Sequence, residues 1–167
     1  MKIRFKKLHP KAILPQHAKF GDAGIDLTAV SIELVKDVEH AEYIKYKTGI
    51  AIEIPEGYVG LISARSSNCK KGLVLANSVG VIDSGYRGEI EFRYKINGLY
   101  DRSYLNESGE AIIRVANFPT PFKVPIYRVG DKVGQLLIVP YVFIESEFVE
   151  ELSSTERGFD GFGSTGS

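Results

Sequence analysis

The chain of 167 residues has no tryptophan, one cysteine, one methionine, three histidines and a formal net charge of zero. Each shortage excludes something. A lone Cys69 cannot form an internal disulfide or a multi-cysteine zinc site, and it fits a reducing compartment. His9, His17 and His40 are scattered without the spacing of metal ligands, so structural or surface roles are expected of them. Zero net charge gives no reason to expect a whole-molecule affinity for nucleic acid or an anionic membrane, so any anion site must be local. Long apolar runs are missing too. The longest, "LLIVPYVFI" (Leu136–Ile144), is too short to span a bilayer and contains Pro140. The N-terminal "MKIRFKKLHP" is basic but lacks the apolar stretch of a secretory signal. A soluble cytoplasmic protein without a nucleic-acid or membrane partner is the expectation.

What is present is ordinary for a globular chain: 44% hydrophobic and 25% charged residues, enough for one domain with its own core. Period-two alternation dominates. Ile50, Ile52 and Ile54 share a face, and Ile90, Phe92, Tyr94 and Ile96 alternate with Glu89, Glu91, Arg93 and Lys95. "AIIRVANF" and "LLIVPYVFI" read as further strands, the second apolar enough to be buried on both faces. Turn signals recur at the spacing of an all-β sandwich or barrel. A turn or two of helix is expected after "ARSSN", capped by Ser66 or Ser67. Residues 97–127, of mixed polarity, read as an elaborated hairpin or excursion from the domain.

Five segments combine turn chemistry with reactive groups. "GDAGIDLTA" sets Asp22 and Asp26 around a glycine turn, which alone reads as an Asx-rich loop entering a strand. "SARSSNCKKG" puts Arg65 beside two hydroxyls, either a helix cap with a surface arginine or an anion cradle. "NSVGVIDSGYRGEI" carries Asp83 and Tyr86 on what reads as a tight hairpin turn between apolar strands. "YRVGDKVGQLLIVP" buries the amide of Gln135 in a hydrophobic strand, where it must find a hydrogen-bond partner. "RGFDGFGSTGS" ends the chain with four glycines in eleven positions, too costly in backbone entropy to order alone.

In order and spacing these segments resemble the five motifs of the homotrimeric dUTPase family: "AGIDL", "ARSS", "NSVGVIDSGYRGEI", "GDKVGQLLIVP" and "RGFDGFGSTGS". The likeness runs from about Ala23 to the C-terminus, apart from the 97–127 excursion. It implies a jelly-roll β-barrel over residues 1–156 and a flexible active-site arm over 157–167. It also implies a homotrimer with shared sites that hydrolyses dUTP to dUMP and pyrophosphate. Asp83 matches the family's general base, and Tyr86 the ring beneath the deoxyribose. Uracil would be read by main-chain groups of Gly80, Val81, Ile82 and Asp83 and by Glu91 on the returning strand, with Asn77 at the nucleotide. Arg65, Ser66, Ser67 and Gln135 match phosphate-binding positions. On the arm, Arg157, Gly163, Ser164 and Thr165 would grip the outer phosphates while Phe162 covers the base. Mg²⁺ is the implied cofactor, held by the triphosphate and water, with Asp26 touching those waters or neighbouring site groups.

Some positions depart from the family's pattern. Ala64 and Ser67 stand where proline and glycine are usual, Lys132 where arginine is usual, and Gly85 where a second aspartate is frequent. A lysine keeps the charge but loses the bidentate fork, so a geometrically weaker ion pair is expected at Lys132. "DSGYRG" is also similar to the turn of the related dCTP deaminases, but Arg93 occupies the position of their glutamate base. A regulatory binding protein on the same fold is the other alternative, with the 97–127 excursion as its contact surface.

Overall fold

A computed structural model of the chain describes residues 1–35, 42–97, 102–114 and 120–159. Its strands in chain order are β1 (Arg4–Lys7), β2 (Ile25–Thr28), β3 (Ser31–Val35), β4 (Tyr43–Glu53), β5 (Tyr58–Ser63) and β6 (Leu73–Leu75). They continue with β7 (Gly80–Ile82), β8 (Glu89–Ile96), β9 (Arg102–Leu105), β10 (Ala111–Arg114), β11 (Phe122–Val124) and β12 (Lys132–Pro140). One sheet runs β1-β4-β8-β6 with β3 also on β4; a second runs β2-β12-β5-β7. From β4 to β8 the chain alternates between these two sheets at every strand. That zigzag gives the jelly-roll architecture that alternation and turn spacing led one to expect.

The two sheets share one apolar core, with Leu27, Ile62, Ile82 and Leu136 from one meeting Ile44, Ile52, Ile90 and Phe92 from the other. The alternation in β8 translates directly: Ile90, Phe92, Tyr94 and Ile96 are buried, and burying each such side chain contributes roughly 1.5–3 kcal/mol. Ile50, Ile52 and Ile54 are buried as expected, but so is Ala51 between them, because β4 is covered on both faces there. Behind this core three tyrosines pack edge to face or tilted, Tyr46, Tyr94 and Tyr127. The hydroxyls of Tyr46 and Tyr94 donate to the carbonyls of Tyr127 (3.3 Å) and Val133 (2.7 Å). Burial pushes both phenols above their usual pKa, so they stay donors.

Gly49 and Gly134 are two of the positions where a close approach requires glycine. Gly49 has φ of +67°, and a Cβ there would meet His9 Cβ at 2.6 Å. At Gly134 a Cβ would collide with the Phe92 ring, so only glycine lets β12 lie flat on that core aromatic.

Three expectations are corrected. The apolar run Leu136–Ile144 is not one strand buried on both faces. β12 stops at Pro140, whose ring cannot donate to a ladder, and Val142, Phe143 and Ile144 are largely exposed. The serines do not cap the short helix. Ser66–Lys70 form a 3-10 turn whose N-cap position is Arg65, without a side-chain cap bond. Finally, β7 and β8 do not form a hairpin: β7 pairs with β5, and β8 pairs with β4 and β6. The residues 97–127 contribute a small antiparallel sheet of their own, β11-β10-β9.

Candidate active site

The separation of β7 from β8 opens a cavity. The turn after β7 closes with Tyr86 N–H donating to the Asp83 carbonyl at 3.0 Å. Arg87 Nη1 braces the same turn, donating to the carbonyls of Ser84 (2.6 Å) and Tyr86 (2.8 Å). The chain is thereby carried from one sheet to the other, and a cavity of about 560 Å³ opens between Gly80–Asp83 on one side and Glu89, Glu91 and Arg93 on the other. One edge of β7 is taken by β5, and among the described residues no strand pairs with its other edge. Ladder pairing of β6 with β8 reaches only Tyr94–Ile96, which leaves Glu89–Phe92 without a strand partner on that side among the described residues. Main-chain donors and acceptors are therefore presented from both walls, as a flat, edge-bonding ligand would need.

Side chains complete this cavity. Asn77 lines it, with Nδ2 close against Gly80, where a Cβ would lie 3.1 Å away. The Tyr86 ring is half exposed and covers Gly88, its hydroxyl donating to the Glu89 carbonyl at 3.0 Å. Glu89 is itself fixed, accepting from Gly49 N–H at 2.7 Å. Asp83 is exposed, and among the described residues its carboxylate makes no hydrogen bond or ion pair, so it is available to a ligand or water. Tyr43 and Lys95 also line the cavity, and the Arg93 guanidinium lies over the Tyr43 ring at 5.3 Å. Sequence reasoning gave Tyr43 and Lys95 no role, and nothing in their local pattern marks them.

A second, polar cleft of about 280 Å³ brings the first, second and fourth segments together, lined among others by Asp22, Asp26, Arg65, Ser66 and Gln135. Gln135 lies opposite Asp26 on β2 and opposite Ser63 on β5, so these three form one row across the sheet. Their neighbours Ile25, Leu136 and Ile62 form the next row, and Leu136 and Ile62 are buried in the core. The Asp26–Gln135–Ser63 row therefore points away from the core, because side chains alternate along a strand. The amide of Gln135 makes a long contact to Ser63 Oγ (3.4 Å), and its Oε1 lies against Gly24. Asp22 bears out the Asx-loop reading, accepting from Lys19 N–H at 2.8 Å.

Charge in this cleft is organised around Asp26. Its Oδ1 accepts from Arg65 Nε at 2.8 Å, and its Oδ2 from Lys132 Nζ at 2.7 Å. The ion pair to Lys132 is short, though single rather than forked. Ser67 lies within 3.4 Å of Arg65 Nη1. The buried phenol of Tyr127 sits beside Ser67 and Arg65; burial raises its pKa, and those two neighbours pull it back. Tyr127 was not marked by the motifs, and Lys132 was marked only as a departure from arginine with an ion pair expected, its partner unnamed. Phe162, Gly163, Ser164 and Thr165 lie outside the described residues, whereas Arg157 falls in the exposed segment after β12. That segment carries Val142, Phe143, Ile144, Phe148 and Leu152 with their side chains largely in solvent.

Among the described residues no group of three or more His, Cys, Asp or Glu side chains could hold a metal ion, and no helix is long and apolar enough to cross a membrane. A family model described as dUTPase matches residues 10–99. The deoxyuridine 5'-triphosphate nucleotidohydrolase of Hydrogenobaculum sp. is 38% identical, over 99% of both chains. Among solved structures, the Staphylococcus bacteriophage 80alpha dUTPase with dUPNHPP superposes with a TM-score of 0.72 at 34% identity, covering 99% of both chains. A variant of the dUTPase from phage phi11 of S. aureus, described as coordinating a structural Mg(II) ion, has a TM-score of 0.64 and 32% identity, covering 92% of this chain and all of that one. The likeness extends through both cavities and beyond the stretch of the family model, and the chain belongs to the dUTPase family.

Proposed function

We propose that this enzyme hydrolyses dUTP to dUMP and pyrophosphate, binding the nucleoside between β7 and β8 and the phosphate chain in the cleft around Arg65. The observation that carries the reading is the slot of open strand edges with Tyr86 at its side and Asp83 at its end. Fixed main-chain groups from Gly80, Val81, Ile82 and Asp83, with those near Glu91, would pair with the uracil edge. Cytosine presents the reversed pattern and would leave buried groups unpaired. Tyr86 would pack under the sugar and leave no room for a 2′-hydroxyl, while Asn77 steadies the nucleotide. Asp83, without a partner among the described residues, would hold and deprotonate a water in line with the α-phosphorus. Water's oxygen bonds to that phosphorus as the bond to the bridging oxygen breaks, releasing pyrophosphate.

Arg65, Ser66, Ser67 and Gln135 would take the phosphate oxygens by charge-assisted hydrogen bonds. Mg²⁺ would be held by the triphosphate and water, with Asp26, whose two oxygens already accept from Arg65 and Lys132, touching those waters at most. When bound to the triphosphate it would neutralise developing charge. Arg93 over Tyr43 stands where a deaminase would need a carboxylate base, which argues against that alternative.

Residues 1–156 would form the barrel and 157–167 a closing arm, with Arg157, Phe162, Gly163, Ser164 and Thr165 completing the site. Two features support a trimer with shared sites. The Asp26–Gln135–Ser63 row faces away from the core, whereas the β7–β8 cavity reaches in to Ile62 and Ile82. Among the described residues of one chain they open as two separate cavities. The exposed apolar side chains after Pro140 are also what a strap across a neighbouring subunit would bury. The test is pyrophosphate release from dUTP, dCTP, dTTP and UTP with Mg²⁺, with ammonia assayed from dCTP. Release from dUTP alone is expected; ammonia from dCTP, or equal release from all four, would overturn the reading.

A further inference from the structure

We propose that Lys132 is a positioning residue for phosphate binding, acting through Asp26 on Arg65; this rests on the reading of the cleft as the phosphate site. The Asp26 carboxylate is mostly buried, with 12% of its side chain exposed, and both its oxygens are held by cations. Arg65, which lines the cleft, offers Nε to one oxygen, and among the described residues its terminal nitrogens make only a 3.4 Å approach to Ser67. Were Asp26 paired with Arg65 alone, the two charges would cancel and the cleft would hold little attraction for a triphosphate. Lys132 takes the second oxygen at 2.7 Å; with the Asp22 carboxylate that also lines the cleft, the local charges then balance, where without the lysine they would leave a net −1 facing the phosphates. It also fixes the carboxylate's orientation, and hence the plane of the guanidinium.

The backbone is built to allow this contact. Counting back from the Gln135–Asp26 pair, regular antiparallel pairing would set Lys132 opposite Ala29, on the core-facing side. Instead the register shifts between Lys132 and Gly134, and Lys132 pairs with Thr28. The extra residue, Val133, is fully buried. A bulge of this kind re-aims a side chain; here it turns Lys132 onto the face that carries Asp26, because residues two apart on β2 share a face. Sequence periodicity alone would have sent the lysine to the wrong side.

The experiment measures steady-state dUTP hydrolysis and binding of dUPNHPP and deoxyuridine for the intact enzyme, Lys132→Met, Lys132→Arg, Asp26→Asn and the double variant Asp26→Asn/Lys132→Met. Loss of one charge-assisted contact predicts a KM for dUTP raised about tenfold in Lys132→Met, with kcat changed less than about threefold. Affinity for dUPNHPP should fall in parallel and that for deoxyuridine stay unchanged. Lys132→Arg should recover most of the loss. In the Asp26→Asn background, Lys132→Met should add nothing, because the lysine then has no carboxylate to hold. An unaltered KM in Lys132→Met would overturn the proposal, as would additive losses in the double variant or an equal loss of deoxyuridine affinity. If the intact enzyme released no pyrophosphate from dUTP, the functional reading itself would fail, and that outcome is distinct from all of these.

Discussion

Between β7 and β8 the cavity is walled by strand edges that no other described strand covers, the Tyr86 ring and the Asp83 carboxylate, which makes no bond among the described residues. At β2 and β12 the cleft is walled by Asp22, Asp26, Arg65 and Gln135, with Lys132 holding Asp26 from outside. On the proposed reading the first surface would discriminate by fixed main-chain geometry and steric limits, which side-chain substitution cannot easily retune. The second would attract by local charge around Arg65, which gives affinity for phosphate oxygens but no knowledge of the base. Substitutions in the two regions should therefore fail in different ways, and the failures tell the regions apart.

The largest effect is expected at the junction of recognition and chemistry. Asp83→Asn should lower kcat by about 10²–10⁴-fold, the range typical of a lost general base, while the Kd for dUPNHPP stays within about threefold. Single-turnover kinetics and calorimetry would check this, and near-normal turnover would remove Asp83 from the base role. Next, deleting residues 158–167 should reduce kcat/KM by about 100-fold through loss of closure, with the trimer intact by light scattering. A monomeric product would make the arm structural. Smaller again, Tyr86→Ala should narrow the preference for dUTP over UTP by about tenfold, read as a ratio of kcat/KM values. If both substrates declined together, the ring would be packing only. The smallest change is thermal: Gly134→Ala must displace the Phe92 ring, and an overpacked core of this size should lose a few degrees in Tm.

Much of this was legible in the sequence where one physical rule acted alone. Strict alternation in Glu89–Ile96 gave the buried face of β8 without exception. The five segments held most of the residues that line the two cavities. Legibility stopped where two structures share one local signal. "DSG" suits a hairpin and equally a turn between sheets, and only the partners of β7 and β8, far away in sequence, decide between them. An apolar run continuing past Pro140 looks like strand, but the ladder ends at Pro140 and the following side chains face solvent. The side that Lys132 faces depends on a bulge, which has no period to read. Tyr127 beneath Ser67 is a long-range contact that no local motif announces.

The central claim is that one site takes its nucleoside pocket and its phosphate cleft from different copies of the chain. The direct measurement is complementation between two inactive variants, Asp83→Asn and Arg65→Ala, unfolded together, refolded as a mixture and assayed for pyrophosphate release from dUTP. With sites shared between two chains, random assembly of an equal mixture should restore activity to about one quarter of the unsubstituted enzyme treated in the same way. Activity no higher than that of the two variants refolded separately would contradict the claim and return both cavities to a single chain.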